Sequence, residues 1–105
     1  SWPICFKSSS LKLHLDRNNF SDPPNSAMKY LFNLVTLNMS GNSIRDLNES
    51  SFDHVGGLKV LDLSNNGMRE ISDRAFHNVT KLTTLNISKN KKYISSPEQN
   101  YIYTL

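Results

Sequence analysis

LVTLNMSGN (residues 34–42), LKVLDLSNN (58–66) and LTTLNISKN (82–90) are three versions of one phrase, and they decide the fold. Each runs Leu-x-x-Leu-x-apolar-x-x-Asn, so Asn42, Asn66 and Asn90 recur at a constant interval of 24 residues. One interval earlier the chain supplies Leu13, Leu15 and Asn18, with Ser10 in the place of the first leucine. The pattern continues downstream. Ile44 and Leu47 return as Met68 and Ile71, and more loosely as Phe20 and Pro23. Phe52 returns as Phe76 and Met28, and Val55 as Val79 and Leu31. A unit of this length cannot bury its own apolar face, so a fixed period marks a solenoid of stacked coils rather than a compact domain.

Within each phrase apolar and polar residues alternate, the period of a half-buried strand. Leu13 and Leu15, Leu37 and Met39, Leu61 and Leu63, and Leu85 and Ile87 are expected to point inward. Parallel strands, one per coil and about 4.8 Å apart, then form a sheet roughly 15–20 Å wide. The asparagines Asn18, Asn42, Asn66 and Asn90 fall where the chain turns inward after the strand. A side-chain amide offers donors and an acceptor, so a column of them satisfies buried backbone groups in the turns. Phe52 and Phe76 are expected to stack as an aromatic spine on the opposite side of the coil, with Met28 as a flexible substitute. Core packing accounts for these aromatics without any cofactor.

The pattern resembles the 24-residue class of extracellular leucine-rich repeats, from Leu11 through Asn90. LNMSGNSIRDLNESSF and LDLSNNGMREISDRAF closely resemble repeats of Toll-like receptor ectodomains. The same class occurs in neuronal adhesion receptors, secreted guidance proteins and matrix proteoglycans. The resemblance implies an α/β-type solenoid: a right-handed coil with a short parallel concave sheet and an irregular convex side. The expected organisation is a partial N-terminal edge or degenerate repeat (1–9), then repeats at 10–33, 34–57 and 58–81, and an irregular repeat at 82–105.

Arrays of this kind need capping ends that hide the apolar edges of the terminal coils. In the extracellular class, the resemblance implies disulfide-bonded caps. A chain of 105 residues with one cysteine, Cys5, cannot form an internal bridge, so it reads as a piece of a larger ectodomain, the alternative being a complete small protein with improvised ends. Cys5 is either a small buried hydrophobe, the favoured reading, or the partner of a cysteine outside the chain. Ile4 stands one interval before Met28, in keeping with a degenerate first coil. Neither a signal peptide nor an apolar run long enough to span a membrane is recognisable.

The formal charge of +3 is a mild bias. Lys12, His14 and Arg17 gather near the start and Lys89, Lys91 and Lys92 near the end, while the middle repeat carries Asp62, Glu70 and Asp73. No nucleic-acid motif or aromatic interleaving accompanies the bases, so nucleic acid is not an expected partner. Asn-x-Ser/Thr occurs at Asn19, Asn38, Asn48, Asn78 and Asn86, a modest excess over chance that, together with the resemblance, favours passage through the secretory route. After Asn90 the template fails: Lys92, Ser95 and Asn100 stand where apolar residues and a phenylalanine belong, and Pro97 interrupts. Tyr101, Tyr103 and Leu105 alternate as either a shortened fifth strand or the edge of a neighbouring repeat.

His14, His54 and His77 share no metal-ligand spacing, and no phosphate-cradling loop or nucleophile elbow appears. No metal or cofactor is expected, nor catalysis on an open face. The concave-face candidates for ligand contact are Lys12, His14 and Asp16, then Thr36 and Asn38, Val60 and Asp62, and Thr84 and Asn86. They lack the Trp, Tyr and Arg anchors that dominate binding hot spots. The leading expectation is a Toll-like receptor ectodomain segment, in a secreted or single-pass membrane protein. Its partners would be a protein or pathogen-derived ligand, neighbouring repeats and a receptor dimer. A neuronal or matrix adhesion protein and a purely structural spacer are the alternatives.

Overall fold

The computed structural model describes residues 11–29, 31, 33–72, 74–91 and 102–104. Expectations placed on Ile4, Cys5, Ser10, Asp73, Lys92, Ser95, Pro97, Asn100, Tyr101 and Leu105 lie outside them. The elements in chain order are β1 (Leu11–His14), α1 (Asn25–Met28), β2 (Leu34–Asn38), β3 (Asp46–Leu47), β4 (Val60–Asp62), β5 (Glu70–Ile71), β6 (Thr84–Asn86) and β7 (Ile102–Thr104). Five strands pair in parallel in the order β1-β2-β4-β6-β7, and β3 pairs with β5 in a second sheet. One strand per coil follows from the repeat, because each phrase has only enough alternating residues for one short strand.

The register keeps equivalent residues side by side: Leu13, Leu37, Leu61 and Leu85 oppose one another across the sheet. All four are buried, as are Met39, Leu63 and Ile87 one strand step further on. Leu15 and Phe20, at the first coil, are only partly buried against this core. At the other end, Thr84 pairs with Ile102 and Leu85 with Tyr103, so the chain rejoins the sheet eighteen residues further on instead of a full period. Tyr103 thus stands at the register position of the leucines, six positions sooner than the period would place it.

Ile44 with Met68 and Leu47 with Ile71 fill the flank behind β3 and β5, each no more than 3 % exposed. Phe52 and Phe76 stack with centroids 5.8 Å apart and 18° between the rings. Such a pair contributes about 0.5–1.5 kcal/mol beyond its area burial. Met28 is fully buried in the equivalent slot at the end of α1. The helix is one turn long. It starts after Pro23-Pro24, where a missing N–H leaves no helical bond unmade. From each of these large residues two short turns return the chain to its strand. Leu31 N donates to Met28 O and Leu34 N to Leu31 O; Val55 to Phe52 and Leu58 to Val55, and Val79 to Phe76 and Leu82 to Val79, repeat the steps.

The turn after each strand is held by an asparagine amide. Asn66 Nδ2 donates to Leu63 O (3.0 Å) and Ser64 O (3.1 Å) in its own coil, and to Met39 O (3.1 Å) in the coil before. Asn66 Oδ1 accepts from Ile44 N. Asn42 does the same with Met39, Ser40 and Leu15 carbonyls, and accepts from Asn18 and Phe20 N–H groups. Asn90 donates to Ile87, Ser88 and Leu63 and accepts from Asn66 and Met68 N–H groups. Asn18 differs. It is exposed, and among the described residues its Nδ2 reaches only Asp16 O, within its own coil. Residues 1–10, where a preceding coil is expected, lie outside the described residues.

One residue before each of these asparagines the backbone is left-handed: φ is 57° at Arg17, 69° at Gly41, 55° at Asn65 and 56° at Lys89. The bend lets Arg17, Gly41 and Asn65 N–H donate to the carbonyls of Ser40, Ser64 and Ser88 one coil on. Glycine and asparagine tolerate this region; arginine and lysine are strained there by roughly 1–2 kcal/mol.

Two consequences are measurable by urea denaturation followed by circular dichroism. Asn66→Asp faces three carbonyls with a carboxylate and is expected to cost about 3–5 kcal/mol, the penalty of an uncompensated buried charge, against under ~1 kcal/mol for Asn18→Asp at the exposed rung. Lys89→Gly is expected to stabilise by about 0.5 kcal/mol, raising Tm by ~2–4 °C. Lys59→Gly, where the backbone is not left-handed, is expected to lower it.

Candidate functional site

The solvent side of the main sheet carries its residues in straight columns, because the parallel register repeats without offset through the first four strands beyond the start of β1. Lys12, Thr36, Val60 and Thr84 form one column, and His14, Asn38, Asp62 and Asn86 the next. Lys12 and His14 are exposed, and the other six are half-buried. Asp16 follows at the first coil, where its carboxylate pairs with Arg17 at 3.2 Å. The nine residues expected to make the contact face are thus brought to one surface. Val60 is its one apolar member.

The second column also shapes the backbone. Asn38 Oδ1 accepts from Ser40 N at 3.0 Å, Asp62 Oδ1 from Ser64 N at 2.9 Å, and Asn86 Oδ1 from Ser88 N at 3.0 Å. The Ser64 and Ser88 hydroxyls donate to the same oxygens at 2.7 Å. These are Asx turns, in which a short side chain closes the turn at the strand's end. His14 cannot bond its backbone this way, and the first coil has Asp16 where the others have serine. Below the column lies a shallow trough of about 460 Å³ bordered by Arg17, Gly41, Asn65 and Lys89 and floored by the serines.

A second surface was not anticipated from the strands. On the β3–β5 flank, Asp46 and Glu70 sit side by side in register, and Arg69 reaches Asp46 at 3.7 Å. Asp22, one period before Asp46, borders the same recess, which is also about 460 Å³. Further round, Arg74 pairs with Glu49 at 3.4 Å. All are exposed, so the pairs contribute at most about 1 kcal/mol each. The acidic residues at 22, 46 and 70 recur at the ladder's own period, and that was the available signal. Ser51 and Ala75 share another slot missed by the strand pattern, buried just before the spine phenylalanines.

The five sequons fall in different settings. Asn38 and Asn86 lie on the sheet face as described. Asn19 has a left-handed backbone, and its Oδ1 accepts from the Ser43 hydroxyl. Asn48 is exposed, and its Oδ1 accepts from Ser50 N. Asn78 is half-buried and donates from Nδ2 to Asp53 Oδ1.

Among the described residues no group of three His, Cys, Asp or Glu side chains is placed to hold a metal ion. His14 and His54 are exposed, and His77 Nε2 lies 3.2 Å from Glu49 O. Among the described residues, no helix is long and apolar enough to cross a membrane. Both recesses are open and polar, and their geometry offers hydrogen bonds and charge to a partner rather than a cavity that excludes water.

The family model described as "Leucine rich repeat" matches the chain twice, over residues 11–68 and 33–91. A search of curated proteins found no match. The matched span contains the first four strands, all three coil-spanning asparagines and both surface recesses. Repeats of this type are protein-interaction modules and typically not enzymes. With its period, its parallel sheet and its asparagine ladder in place, the chain belongs to the leucine-rich repeat family.

Proposed function

We propose that this chain is a segment of an extracellular leucine-rich repeat receptor, of a kind resembling the Toll-like innate immune receptors. In this reading it serves noncovalent recognition of a protein or pathogen-derived ligand, or the pairing of two receptors. The observation that carries the recognition role is the pair of open polar surfaces, the sheet face and the β3–β5 flank, held on a rigid repeating core. The likeness of LNMSGNSIRDLNESSF and LDLSNNGMREISDRAF to Toll-like receptor repeats supports the receptor class, and five sequons support an extracellular setting.

A structural spacer is the second reading, favoured by one observation. The described sheet-face residues include no aromatic side chain to anchor a hot spot. The two readings separate in the complete receptor. Charge reversal on the sheet (Asp62→Lys with His14→Glu) or on the flank (Asp46→Lys with Glu70→Lys) is expected to weaken ligand binding or receptor pairing at least tenfold for one surface, about 1.4 kcal/mol. Unchanged affinity and unchanged pairing in both double variants would leave only the spacer.

A further inference from the structure

We propose that Asn38 and Asn86 carry N-linked oligosaccharides, and that these sugars cover the face of the main sheet, so that of the two surfaces offered for recognition the β3–β5 flank is the one left open to a protein. The proposal rests on the secretory setting of the preceding reading.

The support is in how each asparagine uses its two amide atoms. Asn42, Asn66 and Asn90 engage Nδ2 with three carbonyls each, and none of them begins an Asn-x-Ser/Thr triplet. Asn38 and Asn86 are the reverse. Their oxygens are held in the Asx turns, and a backbone N–H can only donate, so Ser40 and Ser88 fix which amide atom is oxygen. Nδ2 of both residues makes no hydrogen bond among the described residues. Both side chains stand on the solvent side, since the neighbouring Leu37 and Leu85 are buried.

Glycosyl transfer acts on that free nitrogen. Nδ2 attacks the anomeric carbon of a lipid-pyrophosphate-linked oligosaccharide and forms the C–N bond. The bond from that carbon to the pyrophosphate oxygen breaks, its electron pair leaves with the lipid pyrophosphate, and Nδ2 loses one proton. Oδ1 is untouched, so both turns survive the modification. At Asn78, in contrast, the sugar would compete with the bond to Asp53.

Asn38 and Asn86 flank Asp62 in one column, two strand spacings apart. That is roughly 9–10 Å. A branched oligosaccharide is broader than this gap, so two of them meet above Asp62.

The test uses the full chain secreted from eukaryotic cells, with glycosidase release in ¹⁸O-water followed by peptide mass mapping. Label at both Asn38 and Asn86 in most molecules is the expected result. Label at Asn19 or Asn48 with none at either sheet site would overturn the proposal and leave the secretory reading standing. No label at any of the five would overturn both. Covering is tested separately with Thr84→Cys and a bulky maleimide, its site of attachment located by peptide mass. Labelling is expected to accelerate at least tenfold after the sugars are removed, and an unchanged rate would overturn the covering. Asn86→Asp keeps the turn oxygen, as Asp62 does at the same register, and cannot accept sugar. Combined with Thr84→Cys, it is expected to speed labelling without glycosidase, and a rate as slow as the glycosylated parent would count against covering.

Discussion

A coil that turns inward after every strand aims backbone carbonyls and N–H groups at a core of leucine, methionine and isoleucine. Each such group left unpaired costs about 1–3 kcal/mol, so the turn is possible only where something compact supplies both donors and an acceptor. The amides of Asn42, Asn66 and Asn90 do this, and each also ties its own turn to the coil before it. The other regularities depend on that tie. It sets the strands side by side without offset, which aligns the leucines below the sheet and the polar columns above it. It also brings the left-handed residues of successive turns into a line.

Much of this was legible in the sequence because the causes are local and repeat. Alternation around Leu37, Leu61 and Leu85 assigns the strands and their faces, and the phase of Phe52 and Phe76 places the spine. The contact-face residues follow from the same alternation, so their columns could be written down before any coordinates. What was not legible depends on where the chain goes between anchors. The β3–β5 pairing arises because the turn after Asn42 and Asn66 delivers Asp46 and Glu70 to the same height, which no propensity in a two-residue strand announces. Likewise the register of β7, eighteen positions after β6, was not announced, because after Asn90 no apolar phase fixes one. The left-handed turn was hidden because Arg17 and Lys89 occupy positions that Gly41 and Asn65 fill without strain.

Two sets of asparagines in this chain use the amide in opposite ways. Ladder residues turn the amide nitrogen inward and use it fully. Asn38 and Asn86 present the opposite arrangement, with oxygen engaged by the turn and nitrogen free on the sheet surface. Asp62 fits the second group without change of geometry, since only an oxygen is needed there. It could not enter the first group, where three carbonyls require a donor. The identity of each polar residue is thus set by which of its atoms faces the backbone.

The ladder amides reach only the adjoining coil: their side-chain bonds outside their own turn span 22–27 positions, none of them two periods. A whole coil could be excised or duplicated, and the asparagines on either side of the splice would meet partners chemically equivalent to those they had. Loss of a single residue within a strand has no such remedy, because it would turn the inward leucines beyond it outward. A change of length by one whole coil therefore preserves the ladder, whereas smaller steps are excluded from the strand and its turn and fall elsewhere, as where Ile102 joins the sheet eighteen positions after Thr84.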